Sequence, residues 1–363
     1  MGELMRTTCV RPILFGVLAA ALAFPQGDLL LRAQQQPQKP PPQEQKKDKP
    51  AGEFQLSVEV PLVNVDVVVT DNNGAFLEGL RRENFRVLED GVPQTITNFA
   101  PTDAPITMVI LLEFSKIGRG IFSYYATFMA EDFLRQLKPE DWVALVSFDL
   151  RTHIESDFTR NKEEVRRTIR SLVFPGFTEA VLYDALYETL EQLKDVKGKK
   201  SILILGTGLD TFSKKSLDDV LKRLRETDVT IFTVIAGADI VLRAEAQGAF
   251  EGTWGFVSRM TWLQAENQMR AFANMTGGRA WVPRFEGEWP GIFADVAASL
   301  RNQYGIGYSP TNRVRDGKLR KIKVQLVDAN GQPLVVQNQK GKKVKYQIYA
   351  REGYLAPKPG VSD

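Results

Sequence analysis

The pattern of apolar and polar positions divides the chain into two kinds of segment. Between residues 105 and 310, short apolar runs alternate with stretches in which apolar residues recur every three or four positions. The runs are typical of buried parallel strands, and the recurring stretches are typical of amphipathic helices. This alternation predicts an α/β fold, doubly wound, with a mostly parallel sheet covered by helices on both faces.

The predicted elements follow directly from these periods. Strands are predicted at 108–112, 142–148, 201–205, 229–235 and 280–282, and helices at 122–137, 162–172, 178–193, 216–225, 264–275 and 292–301. Residues 237–262 follow neither period and are longer than an ordinary connection. We interpret this region as a loop that packs its own aromatic side chains, among them Trp254 and Trp262, onto the sheet edge. The alternative is an exposed recognition surface.

Two segments with a period of two flank the α/β region. Apolar residues alternate in 53–103 and again in 303–357, with turn signals at 71–74 (DNNG) and 328–332 (DANGQ). The first segment holds about three strands, which would be marginally stable alone. Because domain termini often lie close together, we predict that both segments pack as one small all-β sandwich, with the α/β domain (104–302) inserted between them.

The first 23 residues are typical of a secretory signal peptide. An apolar stretch at 13–23 follows two arginines and ends in the small-residue pattern Ala21-Leu22-Ala23. No later segment has the apolar length of a membrane helix, so we predict no transmembrane helix in the mature chain. We therefore expect an exported protein, periplasmic or secreted, that begins near Phe24. An uncleaved N-terminal anchor is the alternative.

Composition adds two expectations about the exported part. Residues 24–52 are rich in proline, glutamine and lysine, which predicts an extended linker without a packed core. The single cysteine, Cys9, precedes the cleavage site, so the mature chain offers no disulfide and no thiol nucleophile. A chain of 363 residues is long enough to be held by its apolar core.

The charge of the chain bears on its partners. The formal net charge is +3, which does not favour nucleic-acid binding. In the segment 313–345, only Asp316 and Asp328 oppose a concentration of basic residues. These are Arg313, Arg315, Lys318, Arg320, Lys321, Lys323, Lys340, Lys342, Lys343 and Lys345. We interpret the segment as a solvated sheet face. A face that binds anionic polysaccharide or lipid headgroups is the alternative.

The sequence offers little for catalysis. The single histidine, His153, lies in RTHIESDF without a nearby G-x-S-x-G nucleophile pattern. The GTG of 206–208 lacks the spacing and the lysine of a phosphate-binding loop. Since no positioned nucleophile and base can be named, we predict that the protein is not an enzyme.

One strand end carries polar residues where a buried strand stops. The run at 108–112 ends in Glu113, Phe114 and Ser115 (MVILLEFS), and ligands of open α/β sheets sit at such carboxyl ends. Six other stretches follow one another along the chain in a recognisable order. They are VVVTDNNGAFLEGLRRENFRVLEDGVPQTITNF (67–99), DWVALVSFD (141–149), GFTEAVLYDAL (176–186), ILILGTGLDT (202–211), MTGGRAWVPRF (275–285) and LRNQYGIGYSPTNRVRDGKLRKIKV (300–324). Together they resemble the von Willebrand factor type A domains, and more closely the exported bacterial "VWFA-related" proteins known from acidobacteria.

Domains of this family usually carry a metal-ion-dependent adhesion site, and the resemblance assigns its positions. The family pattern is Asp-x-Ser-x-Ser after the first strand, a Thr before a later helix, and an Asp in a strand-end Asp-Gly turn. Hydroxyls and carboxylates of this kind are oxygen ligands for Mg²⁺. The pattern falls here on Glu113, Ser115, Ile117, Thr178 and Thr207. Ser115 and Thr178 match, whereas Glu113 is one methylene longer than Asp. A ligand hydroxyl is lost at Ile117 and a carboxylate at Thr207.

The resemblance therefore implies a degenerate adhesion site, with Asp210 as a candidate compensating carboxylate. We expect no bound metal. If Mg²⁺ or Mn²⁺ does bind, its ligands are Glu113, Ser115 and Thr178. Without a metal, a buried Glu113 needs hydrogen bonds from Ser115, Thr178 or Thr207, and the first two are the nearest candidates.

The expected function is that of an exported, non-enzymatic module for protein binding or adhesion, with an unidentified protein partner. Two alternatives stay open from the sequence. One is a true Mg²⁺- or Mn²⁺-dependent adhesion protein. The other is a cell-envelope scaffold component whose ligand pocket is not in use.

Overall fold

A computed structural model describes residues 62–100, 105–115, 133–172, 177–238, 241, 258–337 and 341–358, all within one compact unit. The signal peptide, the linker, Ile117, Trp254, Lys340 and most of the helix predicted at 122–137 lie outside the described residues. The predicted domain boundaries near 53, 104 and 303 stay predictions. Within the described residues, no helix is both long and apolar enough to cross a membrane.

The strands of the described residues belong to four sheets. They are β1 (Val63–Asp71), β2 (Phe85–Glu89), β3 (Val92–Gln94), β4 (Ile96–Ala100), β5 (Ile106–Glu113), β6 (Trp142–Phe148), β7 (Thr152–Thr159), β8 (Lys199–Gly206), β9 (Thr230–Ile235), β10 (Ala280–Trp281), β11 (Gln303–Tyr308), β12 (Leu319–Leu326), β13 (Val336–Gln337), β14 (Lys343–Val344), β15 (Tyr346–Ala350) and β16 (Gly353–Leu355).

The central sheet has the strand order β10-β9-β8-β5-β6-β7, and only β7 runs antiparallel to its neighbour. Apolar side chains from β5 and its neighbours pack on both faces, in two large core clusters. The predicted doubly wound α/β fold is therefore confirmed. Strand β7 lies outside the predicted elements. It is an edge strand, and its sequence THIESDFT lacks an apolar alternation.

The described helices are α1 (Lys162–Ser171), α2 (Leu182–Gln192), α3 (Leu217–Glu226), α4 (Arg259–Thr276) and α5 (Trp289–Arg301), with 3₁₀ turns at Arg82–Asn84 and Glu286–Glu288. Helix α2 begins four residues later than predicted. Helix α4 begins five residues earlier, because the Ser258 hydroxyl caps its first turn by accepting a hydrogen bond from the Thr261 amide. Its Trp262 is buried, as we interpreted, whereas Met260 is exposed.

The two flanking segments interleave in a pair of antiparallel sheets. Their strand orders are β15-β1-β11-β4 and β16-β12-β2-β3, and β13 and β14 form a separate ribbon. Strand β1 lies between β11 and β15, so the N-terminal segment is paired on both sides with the C-terminal one. The apolar faces of both sheets share one core, which includes Val65, Val67, Tyr304 and Ile306. The predicted small all-β sandwich is confirmed.

Candidate functional site

Glu113 lies at the carboxyl end of the central strand β5 and is fully buried. Strand β5 is paired on both sides, with Leu112 opposite Leu205 of β8 and Glu113 opposite Phe148 of β6. Because β8 is parallel to β5, its end reaches the same edge of the sheet. The register therefore brings Glu113 beside the residues that follow β8. We call this side of the sheet the carboxyl edge.

Both oxygens of the Glu113 carboxylate accept hydrogen bonds from the protein. The Ser115 hydroxyl donates to Oε1 at 2.7 Å. The Thr207 amide and hydroxyl donate to Oε2 at 2.6 and 2.8 Å. The Thr207 hydroxyl also accepts from the Leu209 amide at 3.1 Å. Glu113 is thus held by three donors from the two sequence positions that flank the strand ends.

Burial raises the pKa of the Glu113 carboxyl, and the hydrogen bonds from Ser115 and Thr207 oppose that rise without cancelling it. Desolvation therefore dominates the electrostatics of the site. A raised pKa means that the charged carboxylate, which is the form that binds a cation, is disfavoured relative to an exposed glutamate.

The residue before Thr207 is a glycine for a steric reason. A Cβ atom at Gly206 would lie 2.9 Å from Oε2 of Glu113 and 3.1 Å from its Cβ. The glutamate side chain therefore occupies the space that a side chain at 206 would need. The GTG at 206–208, which does not fit a phosphate-binding loop, has a different role here. Its first glycine leaves room for the Glu113 side chain to reach Thr207.

The other predicted site residues are placed differently. Thr178 lies in the loop before α2, partly exposed, and no hydrogen bond within the described chain joins it to Glu113. Ser115 donates a hydrogen bond to Glu113 as predicted. The other donor to Glu113 is Thr207 instead of Thr178. Asp210 accepts from the Ser213 hydroxyl at 2.6 Å and from the Tyr183 amide at 3.0 Å, so it fixes its own loop to the start of α2.

The described residues of this region can be compared with the ligand sets that hold metal ions. Within the ranges that the structure describes, no group of three or more His, Cys, Asp or Glu side chains could hold a metal ion. Burial also raises the pKa of the Asp210 carboxyl, which disfavours the charge that a cation would require. Glu113, Ser115 and Thr207 thus stabilise one another, and Asp210 stabilises its own loop.

Large apolar side chains are exposed around the same edge. Phe177 and Phe212 are 54% and 63% exposed, and their loops are joined because the Ala180 carbonyl accepts from the amides of Thr211 and Phe212 at 2.9 and 3.3 Å. Neither phenylalanine could be predicted as part of the site, since both lie outside the predicted strands and helices.

The first turn of α4 contributes two more exposed apolar residues, Met260 and Leu263. Helix α4 runs antiparallel to β9, because the Ile231 amide donates to the Thr276 hydroxyl and the Thr233 hydroxyl donates to the Met269 carbonyl. Its first turn therefore lies at the carboxyl edge. We call Phe177, Phe212, Met260 and Leu263 the apolar rim.

His153 lies beside this edge without a nucleophile partner. Its Nε2 is 3.1 Å from Oδ1 of Asp149, and the side chain is about half exposed. The nearby Ser147 hydroxyl donates instead to Glu155 Oε1 at 2.6 Å. These residues line a cavity of about 310 Å³, in which serine and histidine are engaged by different carboxylates. Among the described residues, no hydrogen bond joins Ser147 to His153.

The central part of the chain is similar to a known domain family. Residues 108–244 match the sequence model of the von Willebrand factor type A domain. No curated protein matches the chain.

Similar solved structures include an aerotolerance-related membrane protein from Bacteroides fragilis NCTC 9343 that carries multiple mutations to serines. It is 11% identical, the match covers 54% of this chain and 98% of that one, and the TM-score is 0.41. A conserved hypothetical protein, BatB from Bacteroides thetaiotaomicron, gives 9% identity, 53% and 98% coverage, and a TM-score of 0.38. Proximal thread matrix protein 1 from the mussel byssus is 12% identical, with 59% of this chain and 51% of that one covered and a TM-score of 0.41.

The family match covers the central strands β5, β6, β8 and β9 and ends beyond the strand-end residues described above. The parallel sheet order and the position of Glu113 at the carboxyl edge agree with that match. Residues 108–244 therefore match the von Willebrand factor type A domain in sequence, and the central sheet has the corresponding fold.

Proposed function

We propose that this protein is an exported protein-interaction module that binds its partner without a metal ion, through the carboxyl edge around Glu113. Domains of this family commonly mediate protein interactions. The observation that carries the proposal is the set of three hydrogen bonds that the Glu113 carboxylate accepts from Ser115 and Thr207. Export, with an N-terminus near Phe24, and the lack of enzymatic activity belong to this proposal and stay predictions.

Metal-independent binding follows from the energetics of the Glu113 contacts. A cation that coordinated this carboxylate would have to displace three hydrogen bonds, each with a net contribution of about 1 kcal/mol. It would gain one carboxylate and two hydroxyls, and Mg²⁺ demands several oxygens in nearly octahedral geometry. The balance favours the internal hydrogen bonds. This argues against the alternative of a true Mg²⁺- or Mn²⁺-dependent adhesion protein.

The apolar rim supplies what a partner would bind instead. Aromatic side chains are enriched among the residues that dominate binding energy at protein interfaces. The loops of Phe177 and Phe212 are hydrogen-bonded to each other through Ala180, which reduces the backbone ordering that binding would require. The rim also argues against a scaffold without a ligand surface in use.

We expect the double variant Phe177→Ser with Phe212→Ser to lose its partner. Wild-type protein immobilised in EDTA should retain a specific protein from native envelope extract, and the variant should retain at least about tenfold less, since loss of one interface aromatic costs more than about 1.4 kcal/mol. Quantitative mass spectrometry of the retained fraction measures this. The matched control is Val314→Ser with Val335→Ser, which removes two similarly exposed apolar residues from the sandwich.

Three outcomes would contradict the proposal. Retention that requires Mg²⁺ would contradict metal independence. Retention that is unchanged in the Phe177/Phe212 variant would contradict the carboxyl edge as the binding surface. A loss of equal size in the Val314/Val335 control would show that the effect is not specific to the rim.

The basic segment 313–345 supports the solvated-face interpretation over anion binding. Arg320 is buried, and its guanidinium donates to Asp316 Oδ1 at 2.8 Å. Lys321 and Lys323 are exposed because their positions alternate with core residues along β12. The basic charge is thus divided between an internal ion pair and an outward row. Binding of anionic polysaccharide or lipid headgroups stays the alternative for this segment.

A further inference from the structure

The outer face of the sheet β15-β1-β11-β4 carries a row of polar side chains around two glycines. Along β11 (QYGIGY), Tyr304, Ile306 and Tyr308 face the sandwich core, so Gln303, Gly305 and Gly307 face outward. In register, Gly307 lies between Asn64 of β1 and Asn98 of β4. Gly305 likewise lies between Asp66 and Ala100.

The neighbouring side chains leave little room above β11, most clearly at Gly307. A Cβ atom at Gly307 would lie 2.9 Å from Cβ of Asn98 and 3.4 Å from Oδ1 of Asn64. A Cβ atom at Gly305 would lie 3.3 Å from Cβ of Ala100. We call the groove formed by Asn64, Asp66, Asn98, Gln303, Gly305 and Gly307 the amide trough. It lines a cavity of about 730 Å³, within the range of small-molecule sites.

The opposite wall comes from the amino ends of β8 and β9, far from Glu113 along the sheet. Lys200 forms an ion pair with Asp228, with a 2.7 Å distance between Nζ and Oδ1. Lys199 Nζ donates to the Leu300 carbonyl at 2.9 Å, and burial lowers the pKa of this amine to about 8. Asp66 Oδ2 accepts from the Thr230 hydroxyl at 3.3 Å.

The charges that line the cavity nearly cancel. Lysines 194, 197, 199 and 200 face aspartates 66, 195 and 228. A strongly anionic or cationic ligand would therefore gain little from the cavity as a whole. The remaining polar groups are amides, which offer both N–H donors and carbonyl acceptors.

Gln303 is the buried polar group at the end of this trough. Its side chain is 1% exposed, and neither its Nε2 nor its Oε1 has a hydrogen-bond partner among the described residues. A buried amide without a partner costs about 1–3 kcal/mol. A bound molecule that hydrogen-bonds this amide would remove that cost.

We propose that the amide trough binds a neutral, hydroxyl-rich ligand with the chemistry of a short oligosaccharide. A sugar hydroxyl both donates and accepts hydrogen bonds, which matches the amides of Asn64, Asn98 and Gln303 and the carboxylate of Asp66. The absence of net charge in the ligand matches the cancelled charges of the walls. The site lies at the opposite edge of the sheet from Glu113, so it is independent of the proposed protein-binding face.

The test uses the full chain and three probes, maltotriose, cellotriose and triacetylchitotriose, at millimolar concentration. Saturation-transfer NMR detects binding, and titration calorimetry measures it. At least one probe should bind wild-type protein, and Asn64→Ala with Asn98→Ala should weaken that binding about tenfold. Asn330→Ala, which removes an exposed asparagine outside the trough, should leave it unchanged. Asn64→Ala alone, at an exposed position, gives the same comparison if the double variant does not fold.

Gln303→Met separates a binding role from a structural one. If the amide serves a ligand, this substitution of similar shape should weaken sugar binding while leaving Tm unchanged or raised, because it removes a buried unpaired group. The proposal is overturned if none of the three probes binds, if inorganic phosphate binds more tightly than every sugar, or if the asparagine variants bind like wild type. A lower Tm of the Gln303→Met variant would also overturn it, since that result assigns the amide to the fold.

Discussion

Replacement of Glu113 by alanine should lower the free energy of unfolding by about 3 kcal/mol or more. The substitution leaves the Ser115 hydroxyl and both donors of Thr207 without their acceptor in a site from which solvent is excluded. Each unsatisfied buried donor costs about 1–3 kcal/mol, and the vacated volume adds a cavity cost. Urea unfolding at neutral pH measures the change.

Glu113→Gln is the matched control, because it retains the shape of the side chain. Its carbonyl can accept from Thr207, and its amide can donate to the Ser115 hydroxyl. We expect it to change the free energy of unfolding by less than about 1.5 kcal/mol at neutral pH. A glutamine variant as unstable as the alanine variant would show that the charge of Glu113, and not its hydrogen bonds, holds the site.

The difference in stability between wild type and Glu113→Gln should depend on pH, because the pKa of the Glu113 carboxyl is raised. The folded state binds the proton more tightly than the unfolded state, so protonation favours folding. Relative to Glu113→Gln, wild-type stability should be greatest below the ordinary glutamate pKa, fall as pH rises from that value to the raised one, and then level off. Unfolding curves between about pH 4 and about pH 8 test this, and a relative stability that rises with pH would contradict it.

Asp141→Ala should be the other severely destabilising change, with a loss of about 3–5 kcal/mol. The Asp141 side chain is almost completely buried and accepts from the Ile106 amide at 3.1 Å and the Lys138 amide at 2.8 Å. It also pairs with the guanidinium of Arg301. It thus ties the start of β5 and the start of β6 to the end of α5, and its loss leaves a largely buried cation unpaired.

Glu163→Ala provides the comparison for Asp141. Glu163 pairs with Arg166 on α1, but its side chain is 66% exposed. An exposed ion pair contributes between about 0 and 1 kcal/mol, so this variant should unfold almost as wild type does. Thermal and urea unfolding of both variants give the comparison. Similar losses in the two would contradict the role assigned to Asp141.

The fold could be predicted where local periodicity and burial coincide. The run MVILL specifies β5 because that strand is paired on both sides and covered on both faces. The edge strand β7 could not be predicted in this way, because a strand with one open edge is not required to be apolar. The start of α4 differs from the predicted start for another reason. The cap at Ser258 lets the helix begin before its regular apolar pattern does.

In the site, contacts between residues close in sequence could be predicted, and contacts that depend on strand pairing could not. Ser115 is two residues from Glu113, so a local hydrogen bond could be predicted from the sequence. Thr207 is 94 positions away, and it reaches Glu113 only through the register of β5 with β8, which the sequence pattern does not specify. The loop of Thr178 is instead held through Ala180 and Val181, whose amides donate to the Thr211 hydroxyl and the Asp149 carbonyl.

The central claim is that Ser115 and Thr207 satisfy Glu113 in place of a cation. Thermal unfolding of the full chain with and without millimolar Mg²⁺ or Mn²⁺ tests it most directly, because a ligand that binds only the folded state raises Tm. Glu113→Asp combined with Ile117→Ser and Thr207→Asp rebuilds the family ligand set, and this variant should gain a metal-dependent rise in Tm. The account predicts no change in Tm for the wild-type protein. A clear rise in wild-type Tm with either ion, or no gain in the rebuilt variant, would contradict it.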